Sequence, residues 1–206
     1  MNEDVSRRRR LYLVGVAIVS VAAIWRAVYL VRTGSPSGVV ILVAIAVIAL
    51  IVVVTLVLQV RRMRGVARRV AQARPGAAVV PALAAAELRT VAEALHVSVR
   101  GLGGVGGTPV ALASLPDRIE VWVGRDAAPR WALPRDAVRE VGVQPAGYGA
   151  SQVDAVWVGA RTGRLWNGPD TAAVVLPAYR PLRAMFGGRV GDDLGRAVAA
   201  LTEQPR

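Results

Sequence analysis

The chain has 206 residues, of which 54% are hydrophobic, and its mean hydropathy of +0.43 is high for a wholly soluble protein. It has no cysteine, no lysine and a single histidine, which together exclude disulfides, thiolate or histidine-rich metal sites within one chain, cysteine nucleophiles and a Walker A phosphate loop. Residues 1–74 hold 12 arginines against two acids, whereas residues 75–206 hold 14 arginines against 12 acids, which argues against a nucleic-acid-binding domain.

The first predicted element is a transmembrane helix over residues 11–31, preceded by a basic cytoplasmic N-terminus, residues 1–10. Arg26 interrupts this apolar run near its outer end, next to Trp25 and Tyr29. Because aromatic side chains favour the membrane interface and an arginine stem can snorkel to the headgroups, we interpret Arg26 as an interfacial anchor. A polar contact to a partner helix is the alternative for Arg26. A cleavable signal peptide is the competing interpretation of the whole run, although no small-x-small cleavage site follows it.

A second transmembrane helix is predicted over residues 39–60, which carry no charge and no proline. At ~1.5 Å per residue, these 22 residues span about 33 Å, enough to cross the hydrocarbon core. Residues 32–38 contain Gly, Pro and Ser and predict a short external loop between the spans. Since the arginines cluster before the first span and after the second, the positive-inside rule places both termini in the cytoplasm. We therefore expect a multi-pass protein of the cell inner (plasma) membrane.

The basic juxtamembrane linker, residues 61–76, is predicted to continue the second helix out of the membrane until Arg74, Pro75 and Gly76 break it. Apolar residues recur at helical spacing between its arginines, so the segment can lie on the anionic inner leaflet. Lipid headgroups would then be bound by five arginines: Arg61, Arg62, Arg64, Arg68 and Arg69. A plain topology signal and a helix that docks a partner are the two alternatives.

Residues 77–206 are predicted to form one cytoplasmic α+β domain. Its first element is a helix over residues 84–96, with Leu88, Val91 and Leu95 on one face. Short segments rich in β-branched and aromatic residues predict about seven strands of a mainly antiparallel sheet over residues 110–113, 118–123, 130–133, 138–143, 153–158, 163–166 and 172–176. An amphipathic helix closes the domain. Short strands closed by one C-terminal helix are the outline of a pleckstrin-homology-like (PH-like) antiparallel β-barrel.

Three segments of this domain resemble the bacterial PH-like domains that actinobacterial membrane proteins carry after one or two spans. The segments are Asp117–Gly124, with its apolar and tryptophan pattern, Pro129–Pro134, and Asp136–Val141. The resemblance covers roughly residues 110–205 and implies a binding or scaffolding module without catalytic residues. The excess of alanine, valine, glycine and arginine in the chain is likewise typical of a GC-rich, actinobacterial genome.

Residues 101–106 match the pattern Gly-x-Gly-x-x-Gly, but a dinucleotide site needs a helix directly after it, and here a strand-like run follows. We therefore interpret this segment as a flexible connector. His96, at the end of a predicted helix, is interpreted as a capping or surface residue, and the pair Asp192 and Asp193 as helix-capping residues rather than a cation site. The sequence predicts no catalytic residue, no metal site and no cofactor.

Trp122 and Trp157 are out of phase with the apolar alternation of their strands, so they are the candidates for an exposed surface that docks a partner. Packing in the core or at a sheet end is the alternative. We expect a non-enzymatic integral membrane protein whose PH-like domain is an interaction or scaffolding module at the inner leaflet. Its partners would be membrane lipids and another membrane or cytoplasmic protein, not nucleic acid. The alternatives are an anionic-lipid sensor acting through the arginine-rich segment and, third, an enzyme of unknown class.

Overall fold

The structure, a computed structural model, describes residues 25, 28, 29, 32, 33, 36–161, 166–181 and 191–203. The chain divides into two compact units, Met1–Val57 and Leu58–Arg206. The described part of the first unit is mainly apolar helix, and the second unit holds the β-sheet and its helices.

The first predicted span, residues 11–31, lies outside the described residues except for Trp25, Val28 and Tyr29. The N-terminal residues 1–10 and Arg26 lie outside them as well. In the part of the chain that the structure describes, one helix is long and apolar enough to cross a membrane.

That helix, α1 (Pro36–Ala73), covers the second predicted span and continues through the arginine-rich segment, which confirms both helical predictions. The external loop predicted over residues 32–38 is too long, because the helix already begins at Pro36. Proline is favoured in the first helical turn, where its missing N–H needs no partner. The helix ends as predicted, since Pro75 disfavours helical geometry at the residue before it, and Gly76 follows with a φ of +84°.

Within the first unit, α1 exposes nearly all its described side chains from residue 39 to residue 57. The most apolar window of the helix has a mean hydropathy of 3.5. The hydroxyl of Thr55 donates to the carbonyl oxygen of Ile51 at 2.8 Å, so this polar group is satisfied within the helix itself. A helix that is apolar on all faces, with its polar groups satisfied internally, is suited to lipid.

The second unit is built on one seven-stranded antiparallel sheet that curls into a half-barrel. Strands β1 to β7 are Ala78–Ala84, Pro109–Ser114, Arg118–Val123, Trp131–Pro134, Val138–Tyr148, Ser151–Ala160 and Thr171–Pro177. Their order across the sheet is β4-β3-β2-β1-β7-β6-β5, so β1 lies at the centre and pairs with both β2 and β7. Helix α2 (Glu87–Ala94) follows β1, and helix α3 (Gly191–Thr202) follows β7. The expected antiparallel sheet with a C-terminal helix is confirmed.

Strand β1 was not predicted, because its sequence AVVPALA is rich in alanine and contains Pro81, both unusual for a central strand. Proline is tolerated here since pairing with β7 begins only at Ala82, and the Pro81 carbonyl still accepts a hydrogen bond from the N–H of Ala178 at 2.7 Å. Helix α2 is accordingly shorter than the predicted 84–96. Of the predicted strand 163–166, only Trp166 is described, and it forms an isolated bridge.

One face of the sheet carries the main hydrophobic core. Alternate residues of each strand point into it, for example Ile119, Val121 and Val123 of β3. Ala197 and Leu201 of α3 belong to the same core. The guanidinium of Arg135 donates to the Ser114 hydroxyl and to the carbonyl oxygen of Leu201, so it joins the end of β2 to the C-terminal turn of α3. A cation at that end of a helix is favourable, because the unpaired carbonyls there carry partial negative charge.

Candidate functional site

The opposite face of the sheet is covered by the end of α1, residues 58–73, which we call the docking segment. Met63, Val66 and Val70 form one stripe along it and are 2%, 4% and 1% exposed. Val66 and Val70 pack against Ala111 and Ala113 of β2. The apolar stripe that was expected to face the inner leaflet therefore packs on the sheet of the same chain. The segment is a docking helix, and its partner is intramolecular.

Trp122 lies on this second face, as its phase in β3 predicted, but it is only 4% exposed. It packs against Val66 and Val70, and its indole N–H donates to the Glu120 carboxylate at 3.1 Å. The guanidinium of Arg74 stands over its ring, 5.7 Å from the centroid. Trp122 therefore does not form an exposed partner surface, because the docking segment already occupies that face, and its burial supports the alternative, packing.

Trp157 lies on the same face and is half-buried, in contact with the cluster around Met63. Its indole N–H donates to the Thr171 hydroxyl at 3.0 Å. Its ring lies over Gly159, where a β-carbon would come within 2.7 Å of the indole. These contacts fix the ring against the sheet, so Trp157 serves packing more than it serves an exposed docking surface.

A buried carboxylate fastens the end of the docking segment to the sheet. Glu120, 1% exposed, accepts hydrogen bonds at 2.9 Å from the Nε atoms of both Arg74 and Arg118, in addition to that of Trp122. Burial favours the protonated acid, but the hydrogen bonds from Arg74, Arg118 and Trp122 outweigh burial and hold the pKa of Glu120 below its ordinary value. Since Arg74 directly follows α1, this network joins the helix end to strand β3.

The five arginines predicted to meet lipid headgroups are all exposed, outside the buried stripe of the docking segment: Arg61, Arg62, Arg64, Arg68 and Arg69. Arg69 donates to the carbonyl oxygens of Gly65 and Gly124. The other four make no ion pair with any described acid. A row of uncompensated positive charge on a helix whose apolar side is occupied can attract anions, but it has no free apolar stripe to insert into lipid.

The glycine-rich segment connects α2 to β2 as predicted, but it is pinned in place. The N–H of Gly107 donates to the carbonyl oxygen of Ala84 at 2.8 Å, and the Thr108 hydroxyl donates to that of Gly101 at 2.6 Å. Gly106 has a φ of +75°, and a β-carbon there would lie 2.7 Å from the Ala84 oxygen, so this position requires glycine. A strand follows at Pro109, so no helix N-terminus is present to hold a pyrophosphate.

The remaining polar candidates have structural roles. His96 is exposed with a φ of 53°, and its backbone N–H donates at 3.0 Å to the carbonyl oxygen of Glu93, which confirms the capping interpretation. Asp192 and Asp193 lie inside the first turn of α3, where negative charge is favoured. Asp193 is 1% exposed, and neither of its oxygens is hydrogen-bonded to a described residue. Among the described residues, no group of three acids or histidines could hold a metal ion.

Strand β5 offers a feature that sequence reasoning missed. It is an end strand of 11 residues, paired on one side with β6. At its far end the backbone of Gly147 bonds away from β6, to the Glu87 carboxylate at 2.8 Å and to the N–H of Ala86 at 2.9 Å. Because alternate residues of a strand direct their backbone groups to the same edge, Val141 and Val143 also face away from β6. No described residue bonds to the N–H or C=O of either valine.

No family model, curated protein or solved structure matches this chain. Three features of the described chain bear on its function: the buried second face, the arginine row and the free edge of β5.

Proposed function

We propose that this protein is a non-enzymatic membrane scaffold whose PH-like domain, at the cytoplasmic face of the cell membrane, binds a segment of another protein by strand addition to β5. The PH-like assignment is supported by the strand order, in which β1–β4 and β5–β7 form two antiparallel meanders that meet where β1 pairs with β7. The C-terminal position of α3 agrees with it. The membrane location is supported by the apolar first part of α1 and by the arginines that follow it.

This proposal rests on a short stretch of β5 whose outer edge has unpaired backbone groups. An irregularity in the strand limits the stretch at each end. A register shift interrupts the ladder between Val138 and Glu140, and Pro145 has no N–H to donate. Between them, Val141 and Val143 each present a free N–H and C=O to the edge, and Val143 is 50% exposed. An extended peptide can satisfy such an edge with main-chain hydrogen bonds and contact the valine side chain. The fitting partner is a short extended segment with an apolar residue at its centre.

Site-specific photo-crosslinking of the full chain in its own membranes tests this mode of binding. A crosslinker at Glu140, exposed on β5, should give a discrete protein adduct. Val143→Pro should abolish that adduct, because proline removes an edge-facing N–H and leaves the β6 ladder intact. A crosslinker at Arg125, exposed on the β3–β4 turn, is the matched control and should not give this adduct. An adduct that survives Val143→Pro would rule out strand addition.

The membrane topology within this proposal is tested separately. With two spans and both termini in the cytoplasm, a reporter active only in the cytoplasm should be active when fused after Arg206 and silent when fused after Ser35. The reverse pattern would place the domain outside the cell and overturn its proposed cytoplasmic partners.

A second candidate function, sensing of anionic lipid, is favoured by the exposed arginine row of the docking segment. Because the apolar stripe is buried, binding would be electrostatic, weakened by salt and proportional to headgroup charge. Lipid that co-purifies with the full chain should then be enriched in anionic species. Arg61→Gln, Arg64→Gln and Arg68→Gln together should remove the enrichment, whereas Arg125→Gln and Arg139→Gln should not. Unchanged lipid composition in the triple variant would reject this function.

A further inference from the structure

The end of the apolar run of α1 lies beside one particular loop of the second unit. The uncharged run ends at Val60, and Arg61 and Arg62 follow it. A polar side chain one residue before this end is expected at the lipid–water boundary, where it can reach polar groups. The side-chain amide of Gln59 donates to the carbonyl oxygen of Gly107 at 3.2 Å. The glycine-rich loop is therefore held at the level where the apolar run gives way to charge.

Two neighbouring turns meet at this level, and neither contains a charged residue, although α2 places the Glu87 carboxylate on the N–H of Gly147 and the Arg89 guanidinium beside Gly104. They are the glycine-rich loop, residues 101–107, and the β5–β6 turn with its flanks, residues 147–153, which we call together the glycine rim. The N–H of Gly149 donates to the carbonyl oxygen of Val105 at 2.8 Å, which joins the two turns. Leu102 is buried and anchors the rim, whereas the side chain of Val105 is 65% exposed.

The other end of the docking segment has the opposite character. There Arg69 holds the carbonyl oxygen of Gly124, the first residue of the β3–β4 turn, which contains Arg125 and Asp126. Ten residues of helix, or about 15 Å at the α-helical rise, separate Gln59 from Arg69. The turn beside the apolar run is thus uncharged, and the turn farther along the helix is charged. This gradient has the same direction as that from a bilayer surface to water.

We propose that the glycine rim rests on the lipid–water interface of the membrane that α1 crosses, with the Val105 side chain in contact with lipid. This inference rests on the proposed membrane crossing of α1 and adds to it a membrane-facing surface of the folded domain. The Val105 side chain, 65% exposed, gains free energy when lipid removes it from water. Arg61 and Arg62, which follow the apolar run, supply the positive charge that anionic headgroups attract.

Single-cysteine labelling tests the inference without background, because the chain has no cysteine. The full chain, in vesicles of phosphatidylcholine and phosphatidylglycerol, is labelled with an environment-sensitive fluorophore at Val52→Cys, Val105→Cys or Ala127→Cys. Ala127 is exposed on the β3–β4 turn and is the matched control. Lipids that carry a quencher near the headgroup or deep in the chains report contact and depth. Circular dichroism shows whether each variant is folded.

The expected result is quenching at position 52 by the deep quencher, a blue shift and quenching at position 105 by the shallow quencher, and neither change at position 127. Quenching at 52 without quenching at 105 would overturn the rim and leave the crossing of α1 intact. Equal quenching at 105 and 127 would also overturn the rim, because it would mean that the domain contacts lipid through another surface. A label at 52 that no lipid quenches would reject the membrane crossing itself.

Discussion

The two parts of α1 belong to one uninterrupted helix, yet they are built for different surroundings. In the first part, Val52 and Val54 are 51% and 46% exposed, and apolar residues occupy every face. In the docking segment, Val66 and Val70 are 4% and 1% exposed, and the faces away from the sheet carry arginine. Valine side chains are thus exposed in the first part of the helix and packed against the sheet in the docking segment.

The difference teaches how to interpret apolar residues among charges. A helix surrounded by lipid needs no stripe, because all its faces meet the same environment. A narrow stripe bounded by arginines indicates a helix with one apolar neighbour, and that neighbour can be lipid or protein. In this chain the sheet supplies the neighbour, since β2 is apolar on both faces and β3 adds the Trp122 ring to the second face, so that face needs a cover.

The largest loss of stability is expected when a charge is placed in the buried apolar stripe of the docking segment. Val70→Asp places a carboxylate against Trp122 and Ala111, where the nearby cation, Arg74, is already paired with Glu120, and we expect it to destabilise the second unit by about 4 kcal/mol. Gln72→Asp, exposed on the same helical turn, should change stability by no more than ~0.5 kcal/mol. Resistance of the domain to protease across a urea series, in the full chain reconstituted in lipid vesicles, measures both. Similar curves for the two variants would mean that the stripe is not buried.

Of the two tryptophans on the second face, the more deeply buried one should cost more stability when it is replaced by alanine. Trp122→Ala removes a buried ring beneath the docking segment and should cost about 3 kcal/mol. Trp157→Ala removes a half-buried ring and should cost about half as much. Thermal unfolding followed by circular dichroism provides the comparison. A larger loss for Trp157→Ala would contradict the placement of the docking segment over β3.

The Glu120 network should make the docked state sensitive to acid. Because its pKa is lowered in the folded chain, the unfolded chain binds more protons, and the stabilisation by Glu120 is lost as the pH falls from the ordinary glutamate value of about 4.3 through the lowered value. Glu120→Gln should cost about 2 kcal/mol at neutral pH and flatten this acid dependence. Unfolding curves of both proteins from pH 7 to pH 3 test it. Parallel pH profiles would show that Glu120 is not paired.

The smallest effect on stability is expected where the docking segment faces away from the sheet. Arg62→Gln and Arg68→Gln remove charges that pair with no described acid, and each should shift the free energy of unfolding by no more than ~0.5 kcal/mol. The same protease assay applies. A cost comparable to that of Trp122→Ala would indicate that these arginines hold the fold together.

Much of the fold follows from local pattern. Strand β3 was predicted with its observed bounds, because Ile119, Val121 and Val123 alternate with residues of another character. Strand β1 was missed, since an alanine-rich run with Pro81 has low intrinsic preference for a strand, and only its two neighbours make it one. β1 was missed because it forms through pairing with strands far away in the sequence, and a local hydrophobic pattern carries no information about such pairing.

The candidate site was harder to predict than the fold. The phase of Trp122 placed it correctly on the second face, but burial of that face depends on a helix more than 50 residues earlier in the chain. The available signal was the uninterrupted apolar runs of β2 and β7, which indicate sheets covered on both faces. The free edge of β5 had no signal, because which strand ends a sheet is decided by the order of all seven.

The pairing of Leu83 with Leu176 has a consequence for the order in which this protein folds during synthesis. The central strand receives its second neighbour, β7, only after the ribosome has made the other six strands, so closure of the half-barrel depends on a contact of long sequence separation and is slow. The docking segment, in contrast, leaves the ribosome before any strand. It can pack against β2 and β3 as soon as they emerge. The apolar residues of their second face are then covered, and protected from aggregation, before β7 is made.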